Sequence, residues 1–92
     1  MQVRWLKKAL LNLEQAYQYI SVDNLDAAVK TIMKIQAAVN QLASFPIMGK
    51  VGRVAGTREL VIGSTPYFVV YRVKGERVEI LRILHGSRKY PE

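Results

Sequence analysis

The C-terminal end of the chain carries the side chains best suited to chemistry. The sequence ILRILHGSRKYPE, residues 80–92, begins as an apolar run typical of a buried strand and continues into polar residues. Among them is His85. Histidine is the side-chain type whose reference pKa lies near neutrality, which suits general acid or base catalysis. Arg88, Lys89 and Tyr90 have the groups that bind phosphates or move protons. These four residues are the candidate catalytic groups, and a binding edge or a solvated tail are the alternatives.

Other cations extend this set to a candidate target-binding surface. Alternation along the strand-like runs predicts that Arg72 and Arg82 point away from the helices, because the more apolar face has to pack on them. The predicted binding residues are Lys50, Arg53, Arg72, Arg82, His85, Arg88 and Lys89. The alternative is that the arginines only solubilise an apolar outer face.

The common kinds of cofactor chemistry are not indicated. The chain has no cysteine and one histidine, so a thiolate metal site is excluded and a zinc site is not expected. The stretch GKVGRVAG, residues 49–56, matches neither the Walker pattern nor the dinucleotide fingerprint. Glu59 and Glu79 lie in strand-like runs without the context of a hydrolytic carboxylate pair. We therefore predict no cofactor and no bound metal.

The size and charge of the chain narrow the kind of partner. Its 92 residues, 50% of them hydrophobic, are enough for one domain over residues 1–92. A net charge of +7 calls for an acidic partner, such as a nucleic acid, an anionic membrane surface or an acidic protein, unless it only maintains solubility. Residues 47–92 hold nine cations and four anions, so this half is the expected contact surface.

No apolar run has signal-peptide or membrane-spanning length, and we expect a soluble, cytoplasmic protein without a membrane partner.

Two helices are predicted to form an antiparallel hairpin. The first, from residue 7 to about residue 20, carries an apolar stripe with steps of three and four residues: Leu6, Leu10, Leu13, Tyr17 and Ile20. The second follows turn and N-cap residues at 21–24 and ends near Ser44. Its stripe is Val29, Ile32, Ile35, Val39 and Leu42.

Strands are predicted on both sides of the hairpin. Val3 and Trp5 alternate in QVRW, which indicates a short edge strand. After a loop at 46–56, three runs at 57–62, 67–73 and 78–84 are separated by the turn sequences GSTP and KGER. The predicted fold class is α+β, with an N-terminal strand, a helical hairpin, and a three-stranded antiparallel meander packed on the helices.

The sequence resembles the RelE/ParE superfamily of bacterial toxins from type II toxin-antitoxin modules. The resemblance covers nearly the whole chain, from VRWLKKALLNLEQAYQYI through GRVAGTRELVIGSTPYFVVYRVKGERVEILRILHGSRKYP. Its most specific elements are the Arg58-Glu59-Leu60 strand, the Y-x-V-V-Y-R-V strand and the Leu-His-Gly-x-Arg ending. The superfamily fold has the same β-α-α-β-β-β order, so the resemblance and the residue patterns agree.

The resemblance implies one of two activities. Members similar to RelE cleave messenger RNA in the ribosome, whereas members similar to ParE poison DNA gyrase. Many nucleases of the superfamily have arginine directly after the tyrosine that opens the Y-x-V-V-Y motif, and this chain has Phe68 there. Phenylalanine cannot neutralise a transition-state phosphate, so the departure favours the ParE-like activity. The RelE-like activity is the alternative, with His85, Arg88, Lys89 and Tyr90 assisting attack by a ribose 2′-hydroxyl.

The resemblance also implies a regulator. A cognate antitoxin with an acidic or amphipathic segment is expected to lie along the hairpin and sheet, giving a hetero-oligomer. The expected target is DNA gyrase, or the ribosome and its messenger RNA in the alternative.

Overall fold

One five-stranded sheet covered by two helices makes up the fold. A computed structural model of the protein describes residues 1–91. The elements are β1 (Gln2–Trp5), α1 (Lys7–Ser21), α2 (Leu25–Gln41), β2 (Lys50–Val51), β3 (Arg58–Val61), β4 (Tyr67–Lys74) and β5 (Arg77–His85). The sheet order is β1-β5-β4-β3-β2, with β1 parallel to β5 and the other pairs antiparallel. The α+β class and the meander are confirmed. The sheet has five strands because the terminal strand joins it at one edge and β2 forms inside the predicted loop.

The helical hairpin has the predicted limits to within a few residues. Asn24 caps α2, since its Oδ1 accepts from the Ala27 backbone N–H at 3.0 Å. On α2, the predicted stripe is buried at Ile35, Val39 and Leu42. On α1, the buried positions are small or polar: Ala9, Asn12 and Ala16. Leu10 was expected in the core but is 51% exposed. The short side chains of Ala9, Asn12 and Ala16 form a neighbouring stripe, and α1 approaches the sheet closely along that stripe.

A register shift in the central strand pair changes which face each β5 residue occupies. Val70 pairs with Arg82, but Tyr71 pairs with Ile80, so Leu81 is the extra residue of a β-bulge. Val78, Ile80 and Ile83 all belong to the core cluster that includes Ile35 and Val39, whereas Leu84 packs on the opposite face. The predicted strict alternation from Val78 to His85 is therefore wrong beyond the bulge.

A buried tyrosine fixes the loop between the helices and the sheet. Tyr71 is fully buried, and its hydroxyl donates to the Pro46 carbonyl at 2.9 Å and accepts from the Gly49 N–H at 2.8 Å. A Cβ at Gly49 would lie 2.7 Å from that hydroxyl oxygen, so glycine is required there. This loop leads directly into β2 and Arg53. Within residues 1–91, neither helix is long and apolar enough to cross a membrane.

Candidate functional site

An ion pair with a buried carboxylate lies on the outer face of the sheet. We define the outer face as the face opposite the helices, which bears Phe68, Val70 and Leu84. The Arg53 backbone N–H donates to Glu59 Oε2 at 2.8 Å, and its Nη2 lies 3.1 Å from Glu59 Oε1. The Glu59 side chain is 1% exposed, while that of Arg53 is 48% exposed. A carboxylate removed from water requires hydrogen bonds and a counter-charge. Arg53 supplies both to a charge that the sheet has buried.

The same guanidinium holds the C-terminal segment. Arg53 Nη1 donates to the Tyr90 carbonyl at 3.1 Å. Its Cζ lies 5.1 Å from the Phe68 ring centroid and 5.5 Å from the Tyr90 centroid, within the range of cation–π contacts. The two rings meet edge-on at 6.0 Å. We call Arg53, Glu59, Phe68 and Tyr90 the Arg53 clamp, because together they attach the end of the chain to the outer face.

On the helix side of the same sheet end there is an open pocket of about 330 Å³. Its main polar and aromatic lining comes from α1, the start of β4 and the segment after β5: Asn12, Gln15, Tyr19, Tyr67, His85 and Arg88. We call it the His85 pocket. The His85 ring meets the Tyr67 ring edge-on, with centroids 5.3 Å apart. Burial raises the pKa of Tyr67, and the neighbouring Tyr19 raises it further, so the Tyr67 hydroxyl keeps its proton at neutral pH.

The tautomer of His85 is set by the turn that follows it. The Ser87 backbone N–H donates to His85 Nδ1 at 3.1 Å, and Ser87 Oγ lies 2.8 Å from the same nitrogen. Nδ1 therefore carries a lone pair, and the hydrogen of the neutral ring is on Nε2. The Arg88 N–H donates to the His85 carbonyl at 3.0 Å, which closes the turn between two residues that line the same pocket.

The four candidate catalytic residues are divided between two faces. His85 and Arg88 line the pocket on the helix side, whereas Tyr90 packs against Phe68 on the outer face. Lys89, between them, is exposed. Burial raises the pKa of Tyr90, and the Glu59 carboxylate adds to the rise, against smaller lowering effects of Arg82 and Arg53. The structure brings together one histidine and one arginine rather than a centre of four groups.

The predicted binding cations are also dispersed. Arg72 lies on the outer face as expected, where its Nε contacts Glu79 Oε1 at 2.7 Å. It is five residues along β4 from Tyr67, the partner of His85, which corresponds to about 17 Å of strand. Arg77 also contacts Glu79, at 3.4 Å. Arg72 therefore belongs to a separate ion-pair group at the far end of the sheet.

Arg82 and Lys50 lie nearer to the C-terminal edge. Arg82 pairs with Val70 and shares a strand face with Leu84, so it lies on the outer face as expected. Its long side chain nevertheless reaches α1, where its Nε donates to Asn12 Oδ1 at 2.9 Å. Lys50 is exposed and pairs in register with Glu59, at the rim of the outer face beside Arg53.

Two polar residues that position the site were missed by sequence reasoning. Asn12 is 7% exposed, and its Oδ1 accepts from the Ile83 N–H at 3.2 Å as well as from Arg82, which joins α1 to β5. The sequence did contain a signal for the burial of Asn12, because it lies three residues after Ala9 and four before Ala16, on the same stripe of α1. No comparable signal exists for Glu59, because its pairing depends on the path of the loop that contains Arg53.

Comparison with known proteins agrees with this architecture. The family model described as ParE toxin of type II toxin-antitoxin system, parDE, matches residues 3–90. The chain belongs to the ParE toxin family. It is thus the toxin component of a type II toxin-antitoxin module, and both the clamp and the pocket lie inside the matched region.

Individual relatives cover the whole toxin domain. The chain is 38% identical over 91 residues to the protein named "Putative toxin Y4kP" of Sinorhizobium fredii, covering 99% of this chain and 94% of the relative. It is 34% identical over 87 residues to toxin RelE2 of Caulobacter vibrioides, covering 95% and 97%. The solved structure titled chromosomal ParDE TA system from P. aeruginosa matches with a TM-score of 0.82 and 30% identity, over 92% of this chain and 95% of that chain.

Proposed function

We propose that this toxin arrests growth by docking its C-terminal edge on DNA gyrase, without cleaving RNA. The observation that carries the proposal is the Arg53 clamp. At Phe68, many nucleases of the superfamily have arginine. Here the clamp fills that part of the outer face with the rings of Phe68 and Tyr90 and with the Arg53 guanidinium, which is already paired to Glu59. Arg88 and Lys89 are exposed in the segment that this clamp attaches, and they form the basic edge of the proposal.

RNA cleavage by a 2′-hydroxyl requires a base, a cation on the phosphate and an acid, all within reach of one scissile bond. His85 and Tyr90 lie on opposite faces of the sheet, which disfavours joint action on one bond. The raised pKa of Tyr90 also makes it a weaker candidate for a tyrosinate base. These features support a docking role for the edge.

An antitoxin partner is part of the proposal. The helical hairpin exposes large apolar side chains, including Leu10 (51%), Val29 (43%) and Met33 (62%). Leu10 also lines a groove with Leu13, Glu14, Tyr17 and Ile32. An amphipathic segment that places its apolar side in this groove and its acidic residues away from Glu14 would cover apolar surface and neutralise part of the +7 charge. The cytoplasm, where gyrase acts, is the proposed location of both proteins.

Supercoiling by gyrase in the presence of purified toxin tests the proposal. We expect inhibition, and we expect the charge reversals Arg88→Glu and Lys89→Glu together to weaken it at least about tenfold. Reversal of Lys30 and Lys34 on α2 is the matched control, because it makes the same change of charge away from the edge. Normal supercoiling at a large excess of wild-type toxin would contradict the proposal.

Ribosome-dependent cleavage of messenger RNA is the second candidate. It is favoured by the His85 pocket, where a histidine of defined tautomer shares one concave site with a tyrosine and Arg88. This candidate requires transcript cuts on translating ribosomes, and their loss in His85→Ala. Intact transcripts under conditions of growth arrest would exclude it.

A further inference from the structure

Two rows of side chains cross the outer face at the end of the sheet opposite the Arg53 clamp. Each row takes one side chain from β1, one from β5 and one from β4, which pair in register. The first row is Arg4, Glu79 and Arg72, and the second is Gln2, Arg77 and Lys74. Neighbouring strands are about 4.8 Å apart and residues i and i+2 of a strand about 7 Å apart, so the rows cover an area about 10 Å wide. We call these six side chains the basic patch.

The buried carboxylate of the basic patch positions two of its cations. Glu79 is 6% exposed, and its Oε1 accepts from Arg72 Nε at 2.7 Å while its Oε2 lies 3.4 Å from Arg77 Nη2. The side chains of Arg72 and Arg77 nevertheless remain 42% and 39% exposed. A guanidinium that is already ordered by the fold loses less side-chain entropy when it binds a ligand.

Positive charge remains on the basic patch after this pairing. Arg4 and Lys74 are exposed. Glu76, in the turn between β4 and β5, is the acidic residue that adjoins the rows in sequence. Four cations and the two carboxylates of Glu76 and Glu79 give a net charge of +2, so the patch favours an anionic partner.

The side-chain types of the rows indicate which anionic partner fits. None of the six side chains is apolar or aromatic. Protein interfaces are centred on apolar or aromatic anchors, membrane-surface sites insert apolar side chains, and single-stranded nucleic acids stack on aromatic rings. Duplex DNA needs none of these contacts, because cations held against its phosphates are sufficient for binding. A width of about 10 Å corresponds to about three phosphates of one strand.

We propose that the basic patch binds the phosphate backbone of duplex DNA, without reading its sequence. The patch begins about 17 Å along β4 from the C-terminal edge, so it is a second surface, separate from the edge proposed to dock on gyrase. The choice of DNA over duplex RNA rests on the proposed function, because gyrase acts on duplex DNA. The binding itself does not require that gyrase is the target.

The direct test is the fluorescence anisotropy of a labelled DNA duplex of mixed sequence, titrated with the purified full-length toxin at several salt concentrations. We expect a Kd of about 10–100 μM near physiological salt, which is within the range of non-specific DNA binding. The slope of log K against log salt concentration should be about −3, as for about three phosphate contacts.

Paired variants locate the binding. Arg4→Gln together with Lys74→Gln should weaken binding about tenfold and make the salt slope shallower by about 2, one for each lost phosphate contact. Lys30→Gln together with Lys34→Gln makes the same change of net charge on α2, and should weaken binding less than about twofold with the slope unchanged. Glu76→Gln removes a negative charge beside the rows and should strengthen binding about twofold.

Three results would overturn the inference. They are no DNA binding at 50 mM salt, equal losses in the two double variants, or tighter binding of duplex RNA, single-stranded DNA or a polyglutamate peptide than of duplex DNA. The outcome is separable from the gyrase proposal. A toxin that binds DNA through the patch but leaves supercoiling unchanged would refute only the gyrase target, and one that inhibits supercoiling without binding DNA would refute only the patch.

Discussion

The two faces of the sheet at its C-terminal edge use similar side chains in opposite ways. On the outer face, the charge of Arg53 is paired with Glu59 and its plane lies against Phe68 and Tyr90. On the helix side, His85 and Arg88 border an open pocket. The outer-face side chains pack on one another and hold the C-terminal segment, whereas the side chains on the helix side line a concave site.

The outer-face residues stabilise the C-terminal edge, whereas the pocket residues are the ones expected to contact a partner. Type and position in the sequence grouped His85 and Arg88 with Arg53 as predicted binding residues and with Tyr90 as candidate catalytic residues. Burial and contacts divide them, because a guanidinium already paired to a buried carboxylate is held by the fold. Mutations on the two faces should therefore have different signatures: loss of stability on the outer face, and loss of binding with little loss of stability in the pocket.

The largest effect is expected for Phe68→Ala. Phe68 is 4% exposed and packs with Val70, Leu84 and the clamp. Its truncation should lower the free energy of unfolding by about 3 kcal/mol, which thermal or urea denaturation would measure. Val61→Ala is the matched control, since Val61 pairs with Phe68 across β3 and β4 but is 67% exposed. Equal destabilisation by the two variants would contradict a closed outer face.

A smaller loss of unfolding free energy, about 2 kcal/mol, is expected for Arg53→Ala. Glu59 would remain buried, and within residues 1–91 the backbone N–H of residue 53 would be its remaining hydrogen-bond donor. Hydrogen exchange should also become faster at the amides of Gly86 and Arg88, which lie in the segment that the clamp attaches. Arg53→Lys, which keeps the charge but not the planar fork, should recover only part of the stability. Unchanged exchange in Arg53→Ala would show that the clamp does not hold the C-terminal segment.

For His85→Ala, on the other face, we expect less than about 1 kcal/mol of destabilisation, since one edge-on ring contact with Tyr67 and the bonds to Ser87 are lost. Inhibition of gyrase should weaken by about threefold to tenfold, as for one contact among several. If the wild type cleaves transcripts on ribosomes and His85→Ala lowers that cleavage 100-fold or more, on the order expected for a general acid or base, His85 would instead be catalytic.

The smallest effect is a pH dependence at Glu79, distant from both faces of the edge. The hydrogen bond from Arg72 is the main cause that lowers the Glu79 pKa from its ordinary value of 4.5. A lowered folded-state pKa gives stability that is present above pH 4.5 and is lost as the pH falls through the folded-state value. Glu79→Gln should therefore be less stable than wild type at neutral pH, and the difference should shrink below about pH 4.5. A difference that persists undiminished in acid would contradict the role of this ion pair.

Strand alternation was sufficient for much of the sheet. It predicted that Phe68 and Arg72 share one face of β4 and that Tyr67 lies on the other, which the core clusters confirm. It failed in β5, because a single extra residue at the bulge reverses the faces beyond it and no glycine or proline marks the position. Arg82 keeps the predicted outer face, because it pairs with Val70, but its hydrogen bond to Asn12 was not predicted.

The contacts that distinguish the two faces could not be read from the sequence. The Arg53 clamp joins residues 37 positions apart and depends on the conformation of the loop before β3. On α1, the search for large apolar residues favoured Leu10, while the positions that approach the sheet are Ala9, Asn12 and Ala16. On α1, short side chains at helical spacing were the signal of close packing, whereas the large side chains of Leu10 and Leu11 are exposed.

The central claim is that the C-terminal edge docks on a protein target and does not cut RNA. The most direct test is induction of the toxin in a bacterium, with gyrase-linked DNA breaks and transcript integrity measured in the same cells. We predict DNA breaks with intact transcripts, and suppression of the breaks by a co-expressed antitoxin. Transcript cuts at codon positions without DNA breaks would contradict the account and assign chemistry to the His85 pocket.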